Sequence, residues 1–182
     1  FPIEDAKENI ITNLFILENC KKYNPNIKIF YTSTRQVYGK QISKKLVSEN
    51  LKTNPLDING ISKVSSEMYY SFYKKYYDLN ITILRLTNIF GKNMRIKDSK
   101  LNFLGYWIKE SITKNKIQIF GKGDHIRDYL YIDDLISKNK FDYIISNTHT
   151  YASNSTIAMR IALKNNIKVI NILSSRFRVY KK

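Results

Sequence analysis

Apolar positions along the 182 residues alternate between two periods. From Ala6 to Tyr23, Ile10, Ile11, Leu14 and Leu17 recur at helical spacing, which predicts an amphipathic helix. Asn24-Pro25-Asn26 then breaks the chain, and Ile27 to Thr32 (IKIFYT) has the β-branched and aromatic content of a buried strand. The same alternation continues. Ser62 to Tyr77 reads as helix, Ile81 to Leu86 as strand, Leu101 to Thr113 as helix, Ile117 to Phe120 as strand, and Ile132 to Ile136 as the start of a further helix. Strands separated by helices imply βαβ units, because parallel neighbours need a crossover connection. The expected class is α/β: a Rossmann-like parallel sheet flanked by helices.

Composition changes along the chain. All six glycines lie between Gly39 and Gly123, and the last proline is Pro55. From Ile136 onward there are nine Lys/Arg against one acid, Asp142, so this stretch carries +8 of the total +16. Its pattern is still ordered: Asp142 to Ser146 strand-like, Ser155 to Lys164 helix-like behind the capping run Ser153-Asn154-Ser155, Lys168 to Leu173 strand-like. The expected division is therefore 1–136 and a divergent βαβ-like segment, 137–182, in which the two strands run parallel. His149 in that segment reads as a loop or capping residue.

The charge of +16 invites a nucleic-acid or anionic-lipid partner, since phosphate neutralisation drives such binding. The lysines, however, are scattered among abundant Asn and Ile, and no RNA-recognition, KH or helix-turn-helix pattern occurs. Solvated lysine is the better reading, with neither nucleic acid nor membrane as partner. A hydrophobic fraction of 43% is enough for a real core, and no apolar run approaches the roughly 20 residues that cross a bilayer. The single cysteine, Cys20, excludes an internal disulfide and suits a cytoplasmic location. No metal-ligand pattern is expected.

Five motifs then occur in order. Asn9-Ile10-Ile11-Thr12-Asn13-Leu14-Phe15-Ile16-Leu17-Glu18 resembles the Asn-Val-x-Gly-Thr-x-x-Leu-Leu-Glu helix of the extended short-chain dehydrogenases/reductases, in their nucleotide-sugar epimerase/dehydratase branch. Tyr31-Thr32-Ser33-Thr34-Arg35-Gln36-Val37-Tyr38-Gly39 resembles their hydroxyl-bearing segment ending in Val-Tyr-Gly. It follows a strand, and ligands bind at strand carboxyl ends in open parallel sheets. Asn59-Gly60-Ile61-Ser62-Lys63 stands where the family has Tyr-Gly-x-Ser-Lys. Leu84-Arg85-Leu86-Thr87-Asn88-Ile89-Phe90-Gly91 is similar to Leu-Arg-x-x-Asn-x-Tyr-Gly, and Arg127-Asp128-Tyr129-Leu130-Tyr131-Ile132-Asp133-Asp134 to Arg-Asp-Phe-x-Tyr-Val-Asp-Asp. The resemblance spans about residues 6 to 136.

The resemblance implies roles for the matching positions. Thr34 would bond the sugar oxygen undergoing redox, with Asn59 and Lys63 completing the catalytic positions. Lys63 would also hold the nicotinamide ribose, with Thr32 and Asn9 among the cofactor contacts and their supporting polar network. Asn88, Arg95 and Arg127 would contact the diphosphate of a nucleotide-diphosphate sugar, for which a guanidinium fork is suited. A second copy of the chain is an open option as partner.

Two departures qualify this. Asn59 replaces the family's catalytic tyrosine, and an amide has no titrating proton comparable to a phenol. Arg35 and Gln36 replace the Asp-Glu pair of the sugar 4,6-dehydratases, which disfavours dehydration by those carboxylates. A second Tyr-x-x-x-Lys, Tyr70 to Lys74, lies three helical turns further along and away from Thr34. No Gly-x-x-Gly-x-x-Gly occurs, and Gly121-Lys122-Gly123 reads as a turn. Pyrophosphate binding needs such a strand-helix turn. The chain also opens at Phe1. The expectation is an N-terminally incomplete fragment, inactive by itself, whose full-length parent binds NAD or NADP while this chain alone does not. The expected function is transient hydride transfer at a sugar carbon. The alternatives are a non-catalytic nucleotide-sugar-binding protein and a carbohydrate-pathway fusion with a glycosyltransferase-like tail.

Overall fold

The computed structural model describes residues 1–40, 47–92, 94, 96, 103–119, 121, 123, 126–138, 143–147, 168–173 and 176–180. They fall into two compact units, Phe1–Thr87 and Asn88–Lys182.

The first unit opens with one long helical run. α1 (Pro2–Ala6) passes through a π turn (Lys7–Ile11) into α2 (Thr12–Tyr23). The π turn is bracketed by a side-chain bond, Thr12 Oγ1 to the Lys7 carbonyl at 3.0 Å. β1 (Lys28–Thr34) follows the Pro25-Asn26 turn and ends in a 3₁₀ turn, Arg35–Tyr38. α3 (Ile58–Tyr76) leads to β2 (Asn80–Leu86), which pairs with β1 in parallel from Lys28↔Asn80 to Thr34↔Leu86. This is the βαβ unit the alternation predicts. The helix begins earlier than Ser62 because Asp57 caps it, its side chain accepting from the Gly60 amide at 2.6 Å.

Alternation in β1 puts Ile29, Tyr31 and Ser33 inward. Ile29 and Tyr31 meet Leu17 and Cys20 of α2, Tyr70 and Tyr73 of α3, and Leu79 and Ile81 in one core, where Tyr31 stacks on Tyr70 at 4.2 Å between ring centroids. The inner stripe of α3 is Ser62, Ser66, Tyr70 and Tyr73, small residues in its first half and aromatics in its second. The two phenols are anchored on α2, Tyr70 donating to Asn13 Oδ1 at 2.8 Å and Tyr73 donating to Glu18. Lys74 donates to the Ile81 carbonyl at 3.0 Å, so the second Tyr-x-x-x-Lys is spent on core architecture.

In the second unit, β3 (Asn88–Phe90) pairs in parallel with β4 (Tyr129–Tyr131), with α4 (Phe103–Lys114) between them and α5 (Ile132–Lys138) directly after. β5 (Tyr143–Asn147) and β6 (Lys168–Leu173) are parallel, as a βαβ arrangement requires, and β7 (Arg176–Tyr180) adds antiparallel to β6. The helix expected at Ser155 to Lys164 and His149 lie outside the described residues.

Two expectations need correction. Residues 117–119 form no strand: Ile117 and Ile119 are exposed, no neighbouring strand pairs with them among the described residues, and the Gln118 carbonyl is taken by the Trp107 indole N–H at 2.9 Å. β7 was not legible as a strand, because Arg176 and Arg178 give Arg-Phe-Arg-Val-Tyr a charged alternation that reads equally well as a solvated tail.

Candidate functional site

The carboxyl end of β1 meets the amino end of α3, and glycine permits the approach. Gly39 has φ +66°, and a Cβ there would fall on the Asn54 carbonyl oxygen. A Cβ on Gly60 would lie 2.9 Å from Pro55 Cβ and 3.1 Å from the Gln36 carbonyl oxygen. The Asn54 amide donates to the Val37 carbonyl at 2.9 Å, fastening the segment before α3 onto the 3₁₀ turn. Both motifs drawn from the sequence therefore carry their glycine for a packing reason.

At this junction Thr34, Gln36, Asp57 and Asn59 form a connected chain of polar groups. Thr34 caps the 3₁₀ turn, its hydroxyl accepting from the Gln36 amide at 3.3 Å and donating to Gln36 Oε1 at 3.4 Å. Asn59 Nδ2 donates to the same Gln36 Oε1 at 2.6 Å, and Gln36 Nε2 donates to Asp57 Oδ2 at 3.0 Å. Thr34 and Asn59 thus share one acceptor. Gln36 and Asp57 are the members that sequence reasoning did not assign. Asp57 could have been found as an N-cap, being an Asp three residues before Gly60.

Lys63 stands one helical turn beyond Asn59 and reaches back to β1, Nζ donating to the Thr32 carbonyl at 3.0 Å. Strand rise puts that carbonyl roughly 7 Å from the Thr34 position. The ammonium also sits 5.2 Å from the Tyr31 ring centroid. Burial pushes the Lys63 pKa below its ordinary value, and the Asp5 and Glu67 carboxylates oppose that shift. Burial raises the Tyr31 phenol. The Tyr31 hydroxyl and Asp5 Oδ2 are buried without a hydrogen-bond partner among the described residues. Asn9 lies in the π turn, where its carbonyl accepts from Ser66 Oγ at 2.5 Å and its amide donates to Asp5 Oδ1 at 3.1 Å. Through Ser66, Asn9 ties the first helical run to the helix that carries Lys63.

A buried ion pair supports these groups from the sheet side. Glu67, one turn past Lys63 and 5% exposed, accepts from Arg85 Nη2 of β2 at 2.7 Å, from Arg85 Nε at 3.1 Å and from the Ser33 hydroxyl. Arg85 also donates to the Tyr38 hydroxyl at 2.8 Å and lies over that ring. The hydrogen bonds that Arg85 donates to Glu67, above all, raise the Arg85 pKa. Four segments meet at this pair. The only hint in the sequence is a carboxylate on the helix stripe that otherwise reads Ser66, Tyr70, Tyr73.

The expected diphosphate contacts belong to the second unit. Asn88 opens β3, where its backbone and side-chain amides both donate to the Asp128 carbonyl, at 3.2 and 2.8 Å. Arg127, just before β4, is exposed with its guanidinium 5.9 Å from the Phe103 ring centroid. Register pairing of Asn88 with Tyr129 sets these two residues at the start of neighbouring strands. Arg95 lies outside the described residues. No group of three or more His, Cys, Asp or Glu that could hold a metal occurs among the described residues, and no helix there is long and apolar enough to cross a membrane.

Comparison with known proteins gives a consistent picture. The chain is 30% identical over 138 residues to a putative UDP-glucose 4-epimerase of Methanocaldococcus jannaschii, covering 76% of this chain and 45% of that protein. Among solved structures it is similar to a UDP-glucose 4-epimerase of Thermotoga maritima with UDP-glucose, at TM-score 0.69 and 28% identity over 98% of this chain and 51% of that one. It is also similar to a UDP-glucuronic acid 4-epimerase of Bacillus cereus in complex with UDP-glucuronic acid and NAD, at TM-score 0.62 and 31% identity over 92% and 46%. The chain spans about half the length of these relatives. The profile of the family described as NAD dependent epimerase/dehydratase matches residues 1–170, most of the chain, and with the βαβ unit and the Thr34–Lys63 junction already in place, the protein belongs to that family.

Proposed function

We propose that this chain is the sugar-facing part of a cytoplasmic, NAD-dependent nucleotide-sugar epimerase/dehydratase. Residues 1–136 would be the partial family domain and 137–182 a βαβ-like extension. The observation that carries the reading is that Thr34 and Asn59 bond one Gln36 oxygen and Lys63 bonds the Thr32 carbonyl, at the carboxyl end of β1 in a member of this family. Thr34 bonds the sugar oxygen at the reacting carbon; Asn88, Arg95 and Arg127 are the residues to which the family resemblance gives the diphosphate. Lys63 and Thr32 face the nicotinamide ribose, with Asn9 holding the surrounding network through Ser66. NAD, when bound, supplies a hydride acceptor at the sugar carbon. The residues present fit only its nicotinamide-ribose end, since the 182 residues contain no glycine-rich turn for the pyrophosphate.

Calorimetry tests that division. The 182-residue chain shows no measurable NAD binding, and a longer chain restoring a glycine-rich strand-turn-helix segment ahead of Phe1 binds it. Stoichiometric, tight NAD binding by the chain as it stands would refute the assignment.

A second reading, nucleotide-sugar binding without turnover, is favoured by one observation: Asn59 is engaged with Gln36 at 2.6 Å and brings no titrating proton. The outer faces of the two helices suit a second copy of the chain. Ile11 at the end of the π turn, Phe15 on α2, and Ile61, Met68 and Phe72 on α3 recur at helical spacing and are exposed, Phe15 at 62% and Met68 at 69%. Exposed apolar stripes of this kind suit an isologous two-fold contact. Sedimentation gives a dimer that Phe15→Glu with Met68→Glu converts to monomer; a monomeric wild-type protein removes this element.

A further inference from the structure

Asp57 fixes the direction of every hydrogen bond in the chain that ends at Thr34. Its carboxylate only accepts, so the Gln36 nitrogen must face it, as the 3.0 Å bond from Nε2 to Oδ2 has it. Gln36 Oε1 is thereby turned toward the site, where it collects the Asn59 amide at 2.6 Å and the Thr34 proton at 3.4 Å. A threonine hydroxyl has one proton. With that proton committed to Gln36, Thr34 meets a ligand as an acceptor, while Asn59 keeps Oδ1 and a second N–H.

We infer that Gln36, held by Asp57, is a positioning residue that sets this polarity, so that the site takes a sugar hydroxyl and disfavours the corresponding keto oxygen. The inference rests on the nucleotide-sugar reading above. An alcohol satisfies both neighbours at once, donating to Thr34 and accepting from Asn59. A carbonyl oxygen accepts only, and leaves the Thr34 lone pair facing another acceptor. Thr34 is half-buried while Gln36, Asp57 and Asn59 are exposed, so water offsets part of the mismatch and it costs roughly threefold in affinity. The polarity also bears on turnover. It holds the alcohol ground state better than the oxidised sugar through which epimerisation passes.

The test compares UDP-glucose with UDP-4-deoxy-4-fluoroglucose, in which fluorine replaces the donating hydroxyl by a group of similar size that cannot donate. UDP alone serves as the floor. Titrations of the 182-residue chain are followed by proton and fluorine nuclear magnetic resonance, which reads weak binding. The wild-type chain prefers the hydroxyl sugar about threefold. Gln36→Leu releases the Thr34 proton and brings the ratio close to one. A residue that merely supported the turn would lower both affinities together and leave their ratio unchanged. Equal wild-type affinities, or a ratio untouched by Gln36→Leu, overturn the polarity assignment while the nucleotide-sugar reading stands. Failure of both sugars to bind better than UDP removes that reading and this inference with it.

Discussion

Replacing Glu67 by alanine lowers the unfolding free energy by about 3 kcal/mol, the largest stability loss expected from any polar position in the first unit. The pair it breaks joins α3 to β2, with Ser33 of β1 and the 3₁₀ turn drawn in through Tyr38. Removal of the carboxylate strands the Arg85 guanidinium, whose side chain is 25% exposed, and leaves the buried Ser33 hydroxyl without its acceptor. An uncompensated charge in that setting costs more than the pair contributes when intact. The partial exposure of Arg85 places the loss at the lower end of the range for buried pairs, because water can reach the guanidinium. Glu67→Gln keeps the volume and one acceptor, and loses about half as much. The Glu67→Ala, Arg85→Met double variant recovers part of the loss, since neither charge is then left alone. Urea unfolding of the four proteins measures all three values. A Glu67→Ala midpoint equal to that of the wild type would show that this network bears no stability.

The uneven legibility of the chain follows the range of its interactions. The helix at Ala6 to Tyr23 and the strands of the first βαβ unit were readable because their apolar periods are local and their partners are close in sequence. Boundaries moved where a single group decided them, as Asp57 does for α3. The π turn at Lys7–Ile11 left no periodic mark, because a one-residue phase shift within a single turn still leaves Ile10, Ile11, Leu14 and Leu17 at helical spacing. Residues 117–119 were misread for the opposite reason: alternation without a neighbouring strand does not make one. Thr34 and Lys63 were legible from motif order. The link between Thr34 and Asn59 was not, since it runs through the Gln36 side chain, and whether a glutamine beside Thr34 turns toward Asp57 depends on a contact across 21 residues. Glu67 with Arg85 is similar, a pairing that the packing of α3 on β2 brings about.

In a chain extended ahead of Phe1 by a glycine-rich strand-turn-helix segment, Asn59→Tyr raises hydride transfer to NAD by about two orders of magnitude or more, which is the size of effect a placed general acid-base supplies. Asn59 occupies the first turn of α3, one turn before Lys63, on the side that faces Thr34 through Gln36. A phenol at that position would have the Lys63 ammonium beside it, lowering its pKa toward a range in which it can carry a proton. Gln36 Oε1, which now accepts from the Asn59 amide, is able to accept from the phenol instead, so the substitution needs no new partner. Asn59→Ala, by contrast, removes only a positioning contact and costs less than about tenfold, because an amide cannot cycle between acid and base near neutral pH. Lys63→Ala costs more than Asn59→Ala in either background. It loses the contact with the Thr32 carbonyl and the ribose, and in the Asn59→Tyr protein it also removes the cation that lowers the phenol pKa. The measurement is hydride transfer with UDP-glucose as a function of pH, together with NAD and UDP-glucose affinities, for all variants. The gain from Asn59→Tyr should show a new limb in the pH profile that Lys63→Ala moves upward, a signature that a change in packing alone does not produce. If Asn59→Ala abolishes turnover while both affinities stay intact, Asn59 takes part in the chemistry directly, and the proton does not move by the route proposed for this site.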